Sequence, residues 1–371
     1  MKSIKFFVRV NCLTYNHAPY IVDAMNGFTM QQTSFPFVCI IVDDASTDGE
    51  PEVVTSYMRD NFDLADKTIA IEEETDDYRL MYARHNSNQN CYFVAILLKY
   101  NHYSINKPKH PYYLRWVGEK YLAICEGDDY WIDPLKLQKQ VNFMESHPDY
   151  SLCFSNVYRK DSDLGKYVRP FNQTCNNEVV NGIDNSKDLF YALINRDCRV
   201  PTLTALYRPS VVEQLQKEET QTFMMGDTPL WIRLSQCGKF KYFEDVFGVY
   251  CIHQGSATHN PKTRLGFTLN AKSMCVYYCN KYNYDVPRKL KDEYNRAYLQ
   301  MVLNFEDPKP FAIQAIFPNA IFGWAVDKEG QLKYKKKSQL FIIKAFFYIE
   351  NFIYENKIRL SLWLNNIIKR K

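Results

Sequence analysis

The chain has no glycine-rich, basic loop after its first apolar run: Leu13-Thr14-Tyr15-Asn16-His17 contains no glycine, and no G-x-G-x-x-G occurs anywhere. A nucleotidyltransferase phosphate loop and a dinucleotide-binding fingerprint are therefore both missing. Low-complexity tracts are absent too, and with 46% apolar and 24% charged residues the composition is that of a globular protein, not a disordered one. Long apolar runs are lacking: even Gln339 to Ile368, rich in Phe, Ile, Leu and Tyr, is interrupted by Lys344, Glu350, Glu355 and Lys357 before ~18 apolar residues accumulate, so it does not read as transmembrane. The start, Met1-Lys2-Ser3-Ile4-Lys5, enters a strand-like pattern at once and leaves no room for a signal peptide. Eleven cysteines, an odd number scattered singly, read as buried reduced thiols; Cys275 and Cys279 have helical spacing, but no second pair completes a zinc set. A cytoplasmic protein is expected.

The net charge of +4 conceals an asymmetry. From Gln331 to Lys371 there are ten Lys or Arg against Glu350 and Glu355, so the remainder of the chain is acidic at about −4. Nucleic-acid binding by the main body is disfavoured accordingly.

At 371 residues the chain has room for a large domain and a smaller appendage. Its first 160 or so residues alternate apolar runs with helical stretches. Strands are expected at Lys5–Leu13, Phe37–Val42, Thr68–Ile71 and Tyr121–Cys125, and helices at Tyr20–Gln32, Pro51–Asn61 and Asn90–Tyr100. Asn101 to Tyr113, with Pro108 and Pro111, reads as an inserted surface loop. Further strands follow at Ser151–Tyr158 and Thr204–Tyr207, and the pattern turns mainly helical from Arg264. The alternation predicts an α/β fold, a mostly parallel sheet with helices on both faces and a C-terminal helical extension. The expected division is residues 1–262, with halves meeting near 130/131, and residues 263–371. Ligands of such sheets bind where strands end at their carboxyl edge.

Three strands end in polar signatures: Thr14-Tyr15-Asn16, Asp43-Asp44-Ala45-Ser46-Thr47-Asp48-Gly49, and Glu126-Gly127-Asp128-Asp129. Their shared position suggests one site. Asp128 and Asp129 sit on a turn after a buried strand, where two carboxylates can converge on a hard divalent cation. Asp133 before Pro134 is better suited to capping a helix.

These motifs, with Met225-Gly226-Asp227 followed by Leu230-Trp231, and Tyr250-Cys251-Ile252-His253-Gln254-Gly255-Ser256, resemble the family 2 glycosyltransferases of GT-A fold, especially bacterial members that build surface polysaccharides. The likeness covers Phe6 to His259. It implies a nucleotide-sugar donor, most readily a UDP-sugar, a divalent metal (Mn2+ or Mg2+), a saccharide or lipid-linked acceptor, and inversion at the anomeric carbon of the transferred hexose. On the matching positions, Asp44 would bond the donor base and Tyr15 would stack on it, worth about 1–3 kcal/mol by analogy with single-strand binders. Thr14, Asn16 and Asp43 would complete the nucleotide side, with Asp43 supporting the turn. Asp128 would meet the ribose or the metal shell, Asp129 would hold the metal, and Asp227 would be the general base. His253 matches a late histidine near the phosphates or metal, against the alternative of a structural histidine. Arg84, with His85 and Asn86, occupies a region where relatives contact the donor, but the familiar Gly-rich, Ala-Arg-Asn pattern is absent. Glu126 replaces the more usual first aspartate.

Two readings stand for several of these features. Asp227-Thr228-Pro229 is also a good helix start. The tail, with Lys333, Lys335, Lys336 and Lys337 before it and Lys369, Arg370 and Lys371 after it, suits an amphipathic helix on an anionic membrane, peripheral at the inner face, or a helix packed on the domain. A non-catalytic sugar-nucleotide binder or assembly scaffold is the alternative to an enzyme.

Overall fold

The computed structural model describes residues 4–116, 119–170, 175–211, 221–253, 264–317, 341–349, 351–353 and 356. The chain divides into two compact units, Met1–Ser256 and Ala257–Lys371.

The first unit is built on one mixed sheet. At its centre lie four parallel strands in the order β5 (Cys91–Leu98), β2 (Phe37–Asp43), β1 (Val8–Thr14) and β6 (Tyr121–Ile124). β2 (FVCIIVD) and β5 (CYFVAILL) are buried along their whole length, which is why both are continuous apolar runs instead of alternating ones. β4 (Tyr78–Arg84) and β3 (Ile71–Glu74) extend one side antiparallel, and the edge strand β3 keeps solvent-facing glutamates that discourage further pairing. On the other side β10 (Leu206–Tyr207) runs antiparallel between β6 and β8 (Tyr150–Asp161). Next to β8 come β11 (Lys239–Ile252) and then the short β7 (Tyr130–Trp131), while β9 (Lys166–Pro170) pairs with β8.

One face is covered by α1 (Ile21–Thr29), α2 (Glu50–Asn61) and α3 (Lys136–Ser146). Phe28, Met58 and Met144 of these helices join Val10, Cys39 and Phe93 of the strands in a single core. On the opposite face of β2, β4 and β5 the core contains Val38, Ile40, Tyr82 and Trp116, and the 101–116 insertion supplies part of the cover. α5 (Asp227–Leu234) reaches that opposite side further along, where Trp231 packs edge-on to Tyr207, 6.2 Å between ring centres. α4 (Ser186–Ile194) precedes it in the chain.

The expected helix at Asn90–Tyr100 is instead β5. Eight apolar residues in succession carry no periodicity that separates a buried strand from a buried helix. The Asn88-Gln89-Asn90 turn before them settles it: Asn88 Nδ2 donates to Thr29 and Gln31 carbonyls at 2.9 and 2.8 Å, and Asn90 Nδ2 to Thr33 O at 2.6 Å, so the chain starts a strand beside β2. The third strand falls at Ile71–Glu74, three residues later than expected, because Asp66 first closes a turn by accepting from the Thr68 amide. All eleven cysteines are free thiols, nine of them buried.

In the second unit α6 (Arg264–Lys281) packs beside α7 (Arg288–Leu303), tied by a Lys272–Glu293 ion pair. Helical residues 341–349 press Ile343 and Phe347 onto Leu299 and Leu303.

Candidate functional site

The carboxyl ends of β1, β2 and β6 are stitched together by backbone hydrogen bonds: Asp44 N donates to Thr14 O (3.0 Å) and Gly127 N to Leu13 O (3.1 Å). This brings the three polar signatures to one edge. The approach is close enough to require glycine at 127, since a Cβ there would sit 2.6 Å from Thr14 Cβ.

On the β1 and β2 loops, Asn16 adopts φ +57° and bridges the two: its amide donates to Ser46 Oγ (2.8 Å) and its Oδ1 accepts from Thr47 N (2.8 Å). Asp43 is fully buried, bonded by Ser46, and its carboxyl is pushed up to about 7, chiefly by burial, with the Ser46 bonds opposing and Glu50 adding. It organises the turn. Asp44 is buried as well, and accepts from His102 N (2.7 Å), Tyr103 N (3.1 Å) and Lys109 Nζ (2.9 Å). Three of a carboxylate's roughly four lone-pair sites are thus spent on the 101–116 insertion. Tyr15, in the loop after β1, is 45% exposed.

The two acids after β6 have different environments. Asp129 is 4% exposed, and its Oδ1 accepts from Cys251 N at 2.8 Å; burial, then Asp128 and Glu126, raise its carboxyl well above the ordinary range. It fastens the end of β11, two residues before His253. Asp128 instead lies 3.0 Å from His253 Nε2 and 3.8 Å from His17 Nε2. The ligand atoms of His17, Asp128 and His253 all fall within 4.8 Å of one another, a cluster found among the described residues. One carboxylate and two imidazoles are donors a divalent transition ion accepts, so the residues fit a metal. Asp129, expected as the metal holder, is not one of these three residues; its Oδ1 is engaged by the Cys251 amide.

Glu126 precedes Asp128 and Asp129 on the same turn, its carboxyl raised to about 7 by burial and by Asp128 and Asp227, opposed by a backbone hydrogen bond. Asp227 opens α5, where its Oδ1 accepts from Thr228 N (2.6 Å) and its Oδ2 lies 3.5 Å from Thr202 Oγ1. Thr14, Asn16, Asp43, Asp44, Asp128, Asp129 and His253 therefore share one edge, with Asp227 close enough to be felt by Glu126.

Arg84 does not share it. β4 runs antiparallel to β5, and Arg84 pairs with Tyr92 while Asp43 pairs with Leu97. At ~3.3 Å per residue this puts Arg84 roughly 17 Å away, at the amino end of the sheet.

His17, Glu50 and Lys109 were not singled out by the sequence. His17 falls in the turn that already contained Thr14 to Asn16, a signal that could have found it. Lys109 sits in the insertion, with nothing in its neighbourhood to mark Asp44 as its partner.

No protein-family model matches the chain. Two relatives, the uncharacterized proteins Mb1547 of Mycobacterium bovis and Rv1520 of Mycobacterium tuberculosis, are each 35% identical over 145 residues, 39% of this chain and 33% of theirs. The chain thus spans about a third of the length of the curated relatives it matches. Similar solved structures include S. aureus TarS 1–349 in complex with UDP-GlcNAc (14% identity, 81% of this chain, 73% of that chain, TM-score 0.48). Another is the mannosyltransferase PcManGT from Pyrobaculum calidifontis in complex with GDP-Man and Mn2+ (13% identity, 82% and 78%, TM-score 0.42).

Proposed function

We propose that the protein is a metal-dependent inverting glycosyltransferase of family 2 and GT-A fold, moving a hexose from a nucleotide diphosphate donor, a UDP-sugar first among candidates, to a saccharide or lipid-linked acceptor in surface polysaccharide synthesis. The observation that carries this reading is the meeting of Asp128 with His253 and His17 at the carboxyl edge of parallel strands, with Glu126 feeling the charges of both Asp128 and Asp227. The five ordered motifs of the sequence support it independently.

Asp128 and His253 would hold the ion, which supplies positive charge against that accumulating on the departing nucleotide diphosphate. Tyr15 offers its exposed ring to the base. Asp227 takes the acceptor hydroxyl's proton as that oxygen attacks the anomeric carbon.

Calorimetric titration tests the reading: UDP or GDP is expected to bind in the presence of Mn2+ and at least about tenfold more weakly without it. If no nucleotide diphosphate binds the folded protein, the enzyme reading falls and an assembly scaffold replaces it.

The acceptor proposal extends to a membrane surface. No helix among the described residues is long and apolar enough to cross a membrane. Residues 341–349 and 351–353, however, expose Phe341 (74%) and Phe352 (70%) together with Ile342, Tyr348 and Ile349, while Ile343 and Phe347 pack inward. Lys333, Lys335 to Lys337 and Lys369 to Lys371 lie outside the described residues, but in sequence they flank this face with positive charge. Flotation with vesicles containing anionic lipid is expected to carry the protein upward, and less so in high salt. Equal flotation after Phe341→Ser, Phe346→Ser and Phe352→Ser together would show that this face is not the contact.

A further inference from the structure

The Nε2 atom of His17 points toward a carboxylate oxygen, and a chain of hydrogen bonds behind the ring determines what that nitrogen carries. Glu50 is buried and accepts from Thr14 Oγ1 and the His17 amide (2.8 Å), with Ser46 Oγ, whose single proton is shared with Asp43, 2.9 Å away. Thr14 has one hydroxyl proton, and it is donated to Glu50 Oε1. The same hydroxyl oxygen lies 3.2 Å from His17 Nδ1 and must accept there, which places the ring proton on Nδ1. In that tautomer the lone pair of His17 is on Nε2, 3.8 Å from Asp128 Oδ2. A ring nitrogen and a carboxylate oxygen set this way, with a second imidazole nitrogen 3.0 Å from the same oxygen, are placed to share one cation. Tyr20, stacked on His253 at 5.0 Å between ring centres, and the edge-on contact of His17 with His253 at 5.7 Å hold the second imidazole against the first.

We propose that His17 is a third protein ligand of the ion, locked in its ligating tautomer by Thr14 and Glu50, and that the resulting two-nitrogen, one-carboxylate set selects Mn2+, Co2+ or another first-row transition ion against Mg2+. This rests on reading the cleft as a metal-dependent donor site and deepens it. Imidazole favours transition ions, whereas Mg2+ takes oxygen ligands and keeps its waters. A buried Thr–Glu pair behind a ligating ring is the kind of support that fixes tautomer and orientation. Thr14 and Glu50 are positioning residues here; only His17, Asp128 and His253 offer atoms to the ion.

The test uses the full chain with metals alone. Co2+ and Mn2+ are expected to bind at least about tenfold more tightly than Mg2+, and pulsed EPR of bound Mn2+ to detect two imidazole nitrogens. His17→Ala should leave one nitrogen and weaken binding by at least about 10- to 100-fold, and Thr14→Val, which keeps the ligand but frees its tautomer, by about tenfold with both nitrogens retained. Equal affinity for Mg2+ and Co2+, or a single imidazole nitrogen in the wild-type protein that His17→Ala leaves unchanged, overturns the proposal; a His17 imidazolium merely paired with Asp128 would give the single nitrogen. UDP and GDP titrations in parallel separate the two readings. Two imidazole nitrogens with no nucleotide bound leave the ligand assignment standing and remove the donor site. Nucleotide binding supported equally by Mg2+ does the reverse.

Discussion

Asp128→Ala is expected to weaken Mn2+-dependent UDP binding by at least about 100-fold, while Asp129→Asn keeps it within about tenfold. Neighbouring aspartates after the same strand should thus behave oppositely. Asp128 is partly open and faces two imidazoles, so its truncation removes the only carboxylate of the cluster. Asp129 is buried, its carboxyl is driven toward the neutral form, and its Oδ1 accepts from the Cys251 amide. Asparagine reproduces the shape and the accepting oxygen of a neutral aspartic acid. Asp129→Ala is a different change: it leaves the Cys251 N–H buried and unpaired, costing about 1–3 kcal/mol, and loosens the strand end that positions His253. Thermal unfolding with calorimetry of all three variants separates the effects. If Asp129→Asn loses metal-dependent binding as completely as Asp128→Ala, the assignment of the ligand to Asp128 is wrong.

That distinction was not available in the sequence. Gly127-Asp128-Asp129 announces a turn with two acids, and the position of the turn at a strand's carboxyl end follows from apolar patterning alone. Which acid turns outward depends on β11, some 120 residues later, whose Cys251 amide claims one of them. The local motifs were legible because their roles are local: Asn16, Asp43 and Ser46 bond across a turn whose composition announces it. Arg84 was misplaced for the reason that β5 was misread. An all-apolar octet has no period to tell strand from helix, and making it a strand reverses the direction of its neighbour and takes Arg84 to the opposite edge. His17 lay between these extremes, in the right turn but beside nothing that marked it as a ligand until Thr14, Glu50 and Asp128 were seen around it.

Asp227→Asn is expected to lower the transfer rate about 10²- to 10⁴-fold, the usual value of a positioned general base, with UDP affinity changed by no more than about threefold. The capping alternative is built into the choice of substitution. Asp227 Oδ1 accepts from Thr228 N at 2.6 Å, and an asparagine oxygen does the same, so α5 keeps its first turn and the thermal midpoint should hold. A fall in rate without a fall in stability therefore isolates the chemical role of the second oxygen, whose contact with Thr202 Oγ1 is long at 3.5 Å. Glu126 is the competing base, since burial, Asp128 and Asp227 together raise its carboxyl to about 7, a suitable value for taking a proton near neutrality. The two carboxyls sense each other, and removing the charge of Asp227 should make Glu126 more acidic. If Asp227 is the base, Glu126→Gln weakens donor binding more than it lowers the rate at saturation. If Glu126→Gln instead produces the larger loss in kcat and Asp227→Asn a small one, the proton goes to Glu126, and Asp227 is a helix-opening residue whose charge tunes it.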